Sequence, residues 1–128
     1  MNNIVKKRFD ITISAEGEIV SKTFELDKTI TAVRGVLVSS DRDDLLYYRG
    51  SQKLEINREE FFPENYESKL IMSGINVPPN SRYYDLGSVP PGNGIIKIDY
   101  IDTPNNITTM FSPYRVSYYF DCIITPAQ

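Results

Sequence analysis

The groups in this chain that could carry chemistry are carboxylates, hydroxyls and a single thiol. Histidine is absent, and the only cysteine is Cys122. Without an imidazole, neither a Ser-His-Asp triad nor a Cys-His pair can be built. One cysteine cannot supply the closely spaced Cys and His ligands of a zinc site. Glycines gather in Gly87-Ser88-Val89-Pro90-Pro91-Gly92, yet a phosphate cradle works through backbone N–H donors, and prolines have none. Paired carboxylates remain. A glycosidase needs two of them, roughly 5–10 Å apart across a sugar cleft, and Glu59-Glu60, Asp43-Asp44, Asp85, Asp99 and Asp102 are the available groups. Each stands beside turn residues or on the polar side of an alternating segment, where an acid is unremarkable. Asp41, Asp43 and Asp44 could offer oxygens to calcium, but Leu45 and Leu46 stand where an EF-hand loop needs a ligand and a glycine. The expectation is therefore a protein that is not an enzyme, with no catalytic residue, no metal and no cofactor.

The elements that would position these groups read as strands. Period-two alternation, the mark of a half-buried strand, recurs from end to end. Phe9, Ile11 and Ile13 alternate with Asp10, Thr12 and Ser14, and Val20, Phe24 and Leu26 share a face opposite Ser21, Thr23 and Glu25. Ile30 to Ser39 reads as a third strand with a bulge at Gly35. Leu54 and Ile56 alternate with Lys53 and Glu55, and Ile96, Ile98 and Tyr100 with Lys97, Asp99 and Ile101. The last strand is the clearest: Tyr114, Val116, Tyr118, Phe120, Cys122 and Ile124 make one face, and Arg115, Ser117, Tyr119 and Asp121 populate the other. Cys122 is thereby a core residue before it is a reactive thiol.

Turn chemistry separates the strands. Ala15-Glu16-Gly17-Glu18 reads as the first hairpin turn, and Asp27-Lys28 and Ser40 to Asp44 as polar connections. Arg49-Gly50-Ser51 reads as a tight turn pairing Leu45–Tyr48 with Gln52–Asn57 in a second hairpin. The proline-bearing stretches Val77 to Asn80 and Val89 to Gly94 cannot be central strand. Arg58 to Leu70, interrupted by Pro63, is the single stretch with helical character. The sum is an all-β fold of about eight strands, an antiparallel β-sandwich that is jelly-roll-like or another Greek key. It spans 1–128 as one domain, a length that buries a core without disulfides or metals.

Composition narrows the partners. With 17 acidic against 14 basic residues the net charge is −3, which supplies no basic stripe for nucleic acid. Lys6, Lys7 and Arg8 are contiguous but read as the solvated, flexible start of the first strand. No apolar run approaches the roughly 18 residues of a membrane span. Charge appears at Lys6 before any apolar signal region can form, so synthesis in a reducing cytoplasm is expected, and the sequon Asn106-Ile107-Thr108 reads as chance. Neither nucleic acid nor membrane is expected as a partner.

Aromatic usage is the more informative oddity. There are nine tyrosines and no tryptophan, and Tyr47-Tyr48, Tyr83-Tyr84 and Tyr118-Tyr119 are adjacent pairs. Neighbours on a strand face opposite ways, so one ring of each pair is expected in the core and the other outside. Exposed tyrosine rings suit interfaces, where the ring buries area and the hydroxyl keeps a hydrogen bond; they also suit cross-strand packing within the fold. Phe61, Phe62 and Tyr66 follow a strand among charges, and must either fold back over the core or enter a partner. The candidate interface residues are thus Tyr47, Tyr48, Phe61, Phe62, Tyr66, Tyr83, Tyr84 and Tyr119.

In its mostly-strand pattern and in the run Leu45-Leu46-Tyr47-Tyr48-Arg49-Gly50-Ser51 followed by Glu59-Glu60-Phe61-Phe62-Pro63, the chain resembles the small all-β virion proteins of bacteriophages, of capsid decoration, vertex or head-fibre type. The likeness is one of type and carries over no functional residue. It implies a structural protein of the bacteriophage virion, made in the bacterial host cytoplasm. Such a subunit forms a homo-oligomer with itself and docks on other virion proteins of the capsid or tail. The competing expectation is a carbohydrate- or receptor-binding β-sandwich module, with a glycan as partner.

Overall fold

Alternating segments rich in Ile, Val, Thr and Tyr favour extended backbone because each can bury one face and wet the other. The computed structural model describes residues 3–72, 82–104 and 111–124. They form eight strands: β1 (Asn3–Ile13), β2 (Ile19–Glu25), β3 (Ile30–Ser40), β4 (Gly50–Ile56), β5 (Glu59–Glu67), β6 (Tyr84–Val89), β7 (Ile95–Asp102) and β8 (Tyr114–Ile124). A short helix, α1 (Asp43–Arg49), joins β3 to β4, and a 3₁₀ turn, Ser68–Ile71, follows β5. The expected turn at Val77 to Asn80 and the sequon Asn106-Ile107-Thr108 lie outside the described residues.

The strands make two antiparallel four-stranded sheets, in the orders β1-β8-β3-β6 and β2-β7-β4-β5. This alternation of strands between two sheets is the double Greek key of the eight-stranded jelly roll. β1 and β3 both run antiparallel to β8, so they point the same way. The connections β1–β2, β3–β4, β5–β6 and β7–β8 therefore leave from one end of the sandwich, which carries α1, and the other three leave from the opposite end.

The inner faces supply a continuous core. From the first sheet come Ile11, Ile13, Val33, Val36, Val38, Val116, Tyr118, Phe120 and Cys122; from the second come Leu54, Ile56, Ile96, Ile98 and Tyr100. Each lateral edge is closed by aromatic contact between the sheets. Phe9 of β1 stacks on Phe24 of β2 at 4.6 Å, and on the other flank Phe62 of β5 meets Tyr84 of β6 edge to face at 5.3 Å. The bulge expected near Gly35 is present as a register shift between Val33 and Gly35.

Several local expectations are corrected. Leu45–Tyr48 is helix rather than strand, because Leu45 and Leu46 are both buried and only a helical turn puts two such neighbours under one cap. The hairpin accordingly joins β4 to β5, and its turn is Asn57-Arg58, both at positive φ (53° and 66°). Those are the signs a type I′ turn demands at its two central residues. Glu59–Glu67 is strand, not helix. Pro63 is tolerated there because β5 is an edge strand whose register shifts between Gln52 and Leu54 of its partner. Ala15 to Glu18 turns the chain between sheets rather than closing a hairpin, since β1 and β2 do not pair. Lys6, Lys7 and Arg8 stand near the start of β1 as expected, Lys6 and Arg8 exposed, and they pair with Asp121, Asp27 and Asp10.

Gly50 marks a tight junction. A Cβ there would collide with the Tyr100 hydroxyl and lie 2.8 Å from the Leu46 carbonyl and from Ser68 Oγ, so the α1–β4 corner admits only glycine without displacing its neighbours. Gly50→Ala is expected to destabilise the fold by about 1–3 kcal/mol through overpacking, seen as a lower urea midpoint with unchanged slope. An unchanged midpoint would show that the corner has room.

Candidate interaction surface

The helix-bearing end is organised by one buried ion pair. Arg49, the last residue of α1, donates from Nε to Asp102 Oδ1 at 3.0 Å and from one terminal nitrogen to Oδ2 at 2.8 Å. Asp102 ends β7. Its Oδ1 also accepts the Tyr114 hydroxyl at 2.6 Å, and Oδ2 accepts the Gly17 N–H at 2.9 Å. Tyr114 spends its proton on Asp102, so the Tyr100 hydroxyl, 2.9 Å away, donates to Tyr114. Arg49 further pairs with Glu16 at 3.2 Å, and its carbonyl accepts the Thr103 N–H at 2.8 Å. A second buried chain sits beside it: Ser68 and Tyr118 donate to Gln52 Oε1, and Gln52 Nε2 donates to the Tyr66 carbonyl.

These contacts set the charges. Burial raises the Asp102 carboxyl, but hydrogen bonds from Arg49, Tyr114 and Gly17 outweigh it, and the net shift is downward. The bond to Asp102 raises the Arg49 guanidinium against its burial. Burial pushes Tyr100, Tyr114 and Tyr118 up, so all three stay neutral. On the outer face of the first sheet, burial raises Asp121 while Lys6 at 2.6 Å and Arg34 at 2.7 Å pull it below the ordinary range. Burial lifts the Cys122 thiol to about 11, which keeps it protonated and unreactive, as its core position implies.

On this frame α1 presents Tyr47 and Tyr48 outward, 45% and 49% exposed, with their rings edge to face at 4.9 Å. Successive residues on a single helical turn can both face solvent, which is why neither ring enters the core as a strand would require. Beneath them a hollow of about 390 Å³ is lined by Arg49, Gly50, Ser51, Glu67 and Thr103 as well as the two rings. Ser51 pairs in register with Glu67 on one side and Ile101 on the other, and Ile101 with Ile19. One cross-strand row thus runs from the hollow to Ile19, which is 67% exposed.

The remaining candidates occupy two other places. Phe62 is buried and stacks on the half-buried Tyr66 at 4.4 Å, with Tyr84 against Phe62 and 40% exposed. Phe61 is half-buried against the same core. The four residues seal the β5/β6 flank, and Tyr84 also presents a face outward. Tyr83 and Tyr119 belong to the outer face of the first sheet, where Lys6 lies over the Tyr83 ring at 4.6 Å and Arg8 over Tyr119 at 5.7 Å. Tyr118-Tyr119 follows the one-in, one-out rule, while Tyr83-Tyr84 does not, because Tyr83 precedes the strand.

The acids that might have paired for catalysis are dispersed. Glu59 pairs with Ile56 at one end of β4, and Asp102 with Gly50 at the other. Asp85 accepts the Gly87 N–H at 2.7 Å on β6, and Asp99 lies across from Lys53 on the outer face of the second sheet. Asp41 accepts the Arg115 N–H at 2.8 Å, and Asp44 is held by Arg42; the Asp43 side chain lies outside the described residues. Among the described residues no group of three His, Cys, Asp or Glu side chains could hold a metal. Reasoning from sequence missed the Arg49–Asp102 pair. A signal existed: Asp102 continues the buried parity of Ile96, Ile98 and Tyr100, and an acid at a core position calls for a buried cation. Arg49 carried no such signal, being hidden in an apparent turn.

No protein-family model, curated protein or solved structure matches the chain. Fold and surface define it as an antiparallel β-sandwich of jelly-roll strand order, with its ionisable interior neutralised, Tyr47 and Tyr48 displayed at one end and Tyr84 at one flank.

Two measurements probe this frame. Asp102 and Asp121 sit below the ordinary carboxylate range when folded, so they stabilise the chain at and above that range and stop doing so as pH falls through their folded values. The thermal midpoint should hold from neutral pH to about pH 5 and then drop. Asp102→Asn should lower that plateau, with a stability loss of about 3–5 kcal/mol as expected when a buried cation loses its principal partner, and flatten the acid limb. A variant with the wild-type plateau would remove the pair from its structural role. Cys122 should react with a thiol reagent only at the rate of unfolding, and rapid labelling of the native chain would contradict its burial.

Proposed function

We propose that this chain is a structural subunit of a bacteriophage virion, which assembles with copies of itself and docks on the capsid or tail. The observation that carries the reading is that, besides Tyr47, Tyr48 and Leu70, large apolar side chains remain exposed on both lateral flanks. Ile4 of β1 and Ile19 of β2 lie on one lateral flank of the sandwich, and Tyr84 of β6 on the opposite one. A subunit of a ring or shell contacts its neighbours through two different surfaces, one per side, and apolar residues on both flanks supply them. A receptor module with one recognition face has no need of the second flank. The jelly-roll strand order adds support, since viral capsid domains use it; lectin domains use it too, so the fold alone does not decide.

Sedimentation and light scattering of the purified chain should give a particle whose mass is a multiple of 14.6 kDa. Ile19→Ser combined with Tyr84→Ser should weaken assembly by about ten- to a hundredfold, the loss of one modest apolar anchor per side, without altering the circular dichroism of the subunit. Mass spectrometry of purified virions should find the protein. A chain that stays monomeric at all concentrations and is missing from virions overturns the proposal.

A further inference from the structure

We infer that copies of this chain join head to tail, the β1/β2 flank of one against the β5/β6 flank of the next, with Lys6 of one copy facing Asp85 of its neighbour. The inference rests on the assembly reading above and names the surfaces and the orientation that assembly uses. A cross-strand row of the first sheet carries it. Lys6 pairs in register with Asp121, Asp121 with Gly35, and Gly35 with Asp85. The row crosses all four strands, β1-β8-β3-β6, and ends on a cation at one flank and an anion at the other. A second copy set beside the first in the same orientation and at the same height continues the row. Asp85 of one copy then meets Lys6 of the other.

Both ends of the row have capacity left. Asp85 is exposed and accepts the Gly87 N–H, but among the described residues it makes no ion pair within its own subunit. Lys6 gives one contact to Asp121 at 2.6 Å with its side chain 44% exposed, and an ammonium has three donors. Asp121 is shared with Arg34, so two cations lean on one anion there. Beside Asp85 lies a hollow of about 340 Å³, lined also by Arg34, Tyr83, Gly87 and Asp121. It leaves room for a side chain that arrives from the next copy.

Charge also selects head-to-tail over two-fold pairing. In a two-fold contact each flank meets itself. Asp85 would then face β5 and β6, which contain Glu59, Glu60 and Glu67 and neither Lys nor Arg. Lys6 would face β1, whose one acid, Asp10, is matched by Arg8. The head-to-tail contact gives each a partner of opposite sign. Side chains make this contact rather than a continued ladder. Pro63 in β5 and the register shift where β6 pairs with β3 interrupt the edges that a ladder would need. The exposed Ile19 and Tyr84 come to the same boundary and add apolar area.

The test mixes two full-length variants, each with one flank blocked. Asp85→Lys blocks the acidic flank, and Lys6→Gln with Ile19→Ser blocks the other. Each variant alone should associate at least about tenfold more weakly than the wild type. Mixed, with one of them ¹⁵N-labelled, they should give by native mass spectrometry a dimer of one copy each and nothing larger. Raising salt from about 0.05 to 0.5 M should weaken wild-type assembly through screening. Circular dichroism checks folding, and Asp85→Asn or Ile19→Ser alone replaces a variant that fails to fold. Given a wild type that assembles, three results overturn the inference and leave the assembly reading standing: a mixture without the mixed dimer, a single variant that dimerises as tightly as the mixture, or assembly indifferent to salt. A wild type that stays monomeric at every concentration removes both.

Discussion

The contact between Arg49 and Asp102 fixes the end of the sandwich that displays Tyr47 and Tyr48. Four parts of the chain meet there: the β1–β2 turn through Gly17 and Glu16, helix α1 through Arg49, the close of β7 through Asp102, and the start of β8 through Tyr114. Two of these segments, the β1–β2 turn and α1, have no ladder of their own, and Asp102 and Tyr114 stand at the ends of theirs. A bidentate, fully dry pair costs desolvation, and it repays that cost only when every lone pair and proton around it is matched. Here the matching groups come from all four segments, so the pair is stable only when all four are in position. That makes the end cooperative, and it explains why a seven-residue helix with no side-chain cap at its start can carry two exposed tyrosines in a defined arrangement.

The same logic separates interior from surface. The interior joins apolar side chains from both sheets to tyrosines whose hydroxyls are all engaged, which leaves it chemically silent. Aromatic pairs close both lateral edges, Phe9 with Phe24 and Phe62 with Tyr84, so the sandwich is sealed without disulfides. What is left for function is displayed: two rings over a hollow at one end, and isolated apolar residues on opposite flanks.

Much of the framework was legible from sequence because it depends on local parity. β8 is the clearest instance. Its alternation predicts one face of Tyr114, Val116, Tyr118, Phe120, Cys122 and Ile124; the first five are buried and Ile124 is half-buried against the core, while Ser117 and Asp121 on the other face are polar because they meet Asp10, Lys6 and Arg34. The bulge at Gly35 and the buried thiol follow from equally local arguments. The α1 region was not legible. Leu45-Leu46-Tyr47-Tyr48 has strand-like composition in a stretch too short for a 3.6-residue period to show, and it becomes helix because tertiary packing buries its two leucines. Phe61 to Tyr66 looked irregular because of Pro63, whose missing donor is harmless only on an edge strand, and being an edge is a property of the sheet.

By itself, then, the sequence determined that this is a two-faced, all-β chain with no histidine, one inert cysteine and a surplus of tyrosine. Those properties depend on residue type and on spacing within a few positions. Which strands became neighbours, that Arg49 reaches across 53 positions to Asp102, that Lys6 and Asp85 end one row of the first sheet, and which flanks keep their apolar residues were settled only by the tertiary structure. Each is a contact between residues far apart along the chain, and no local pattern encodes the partner at the other end.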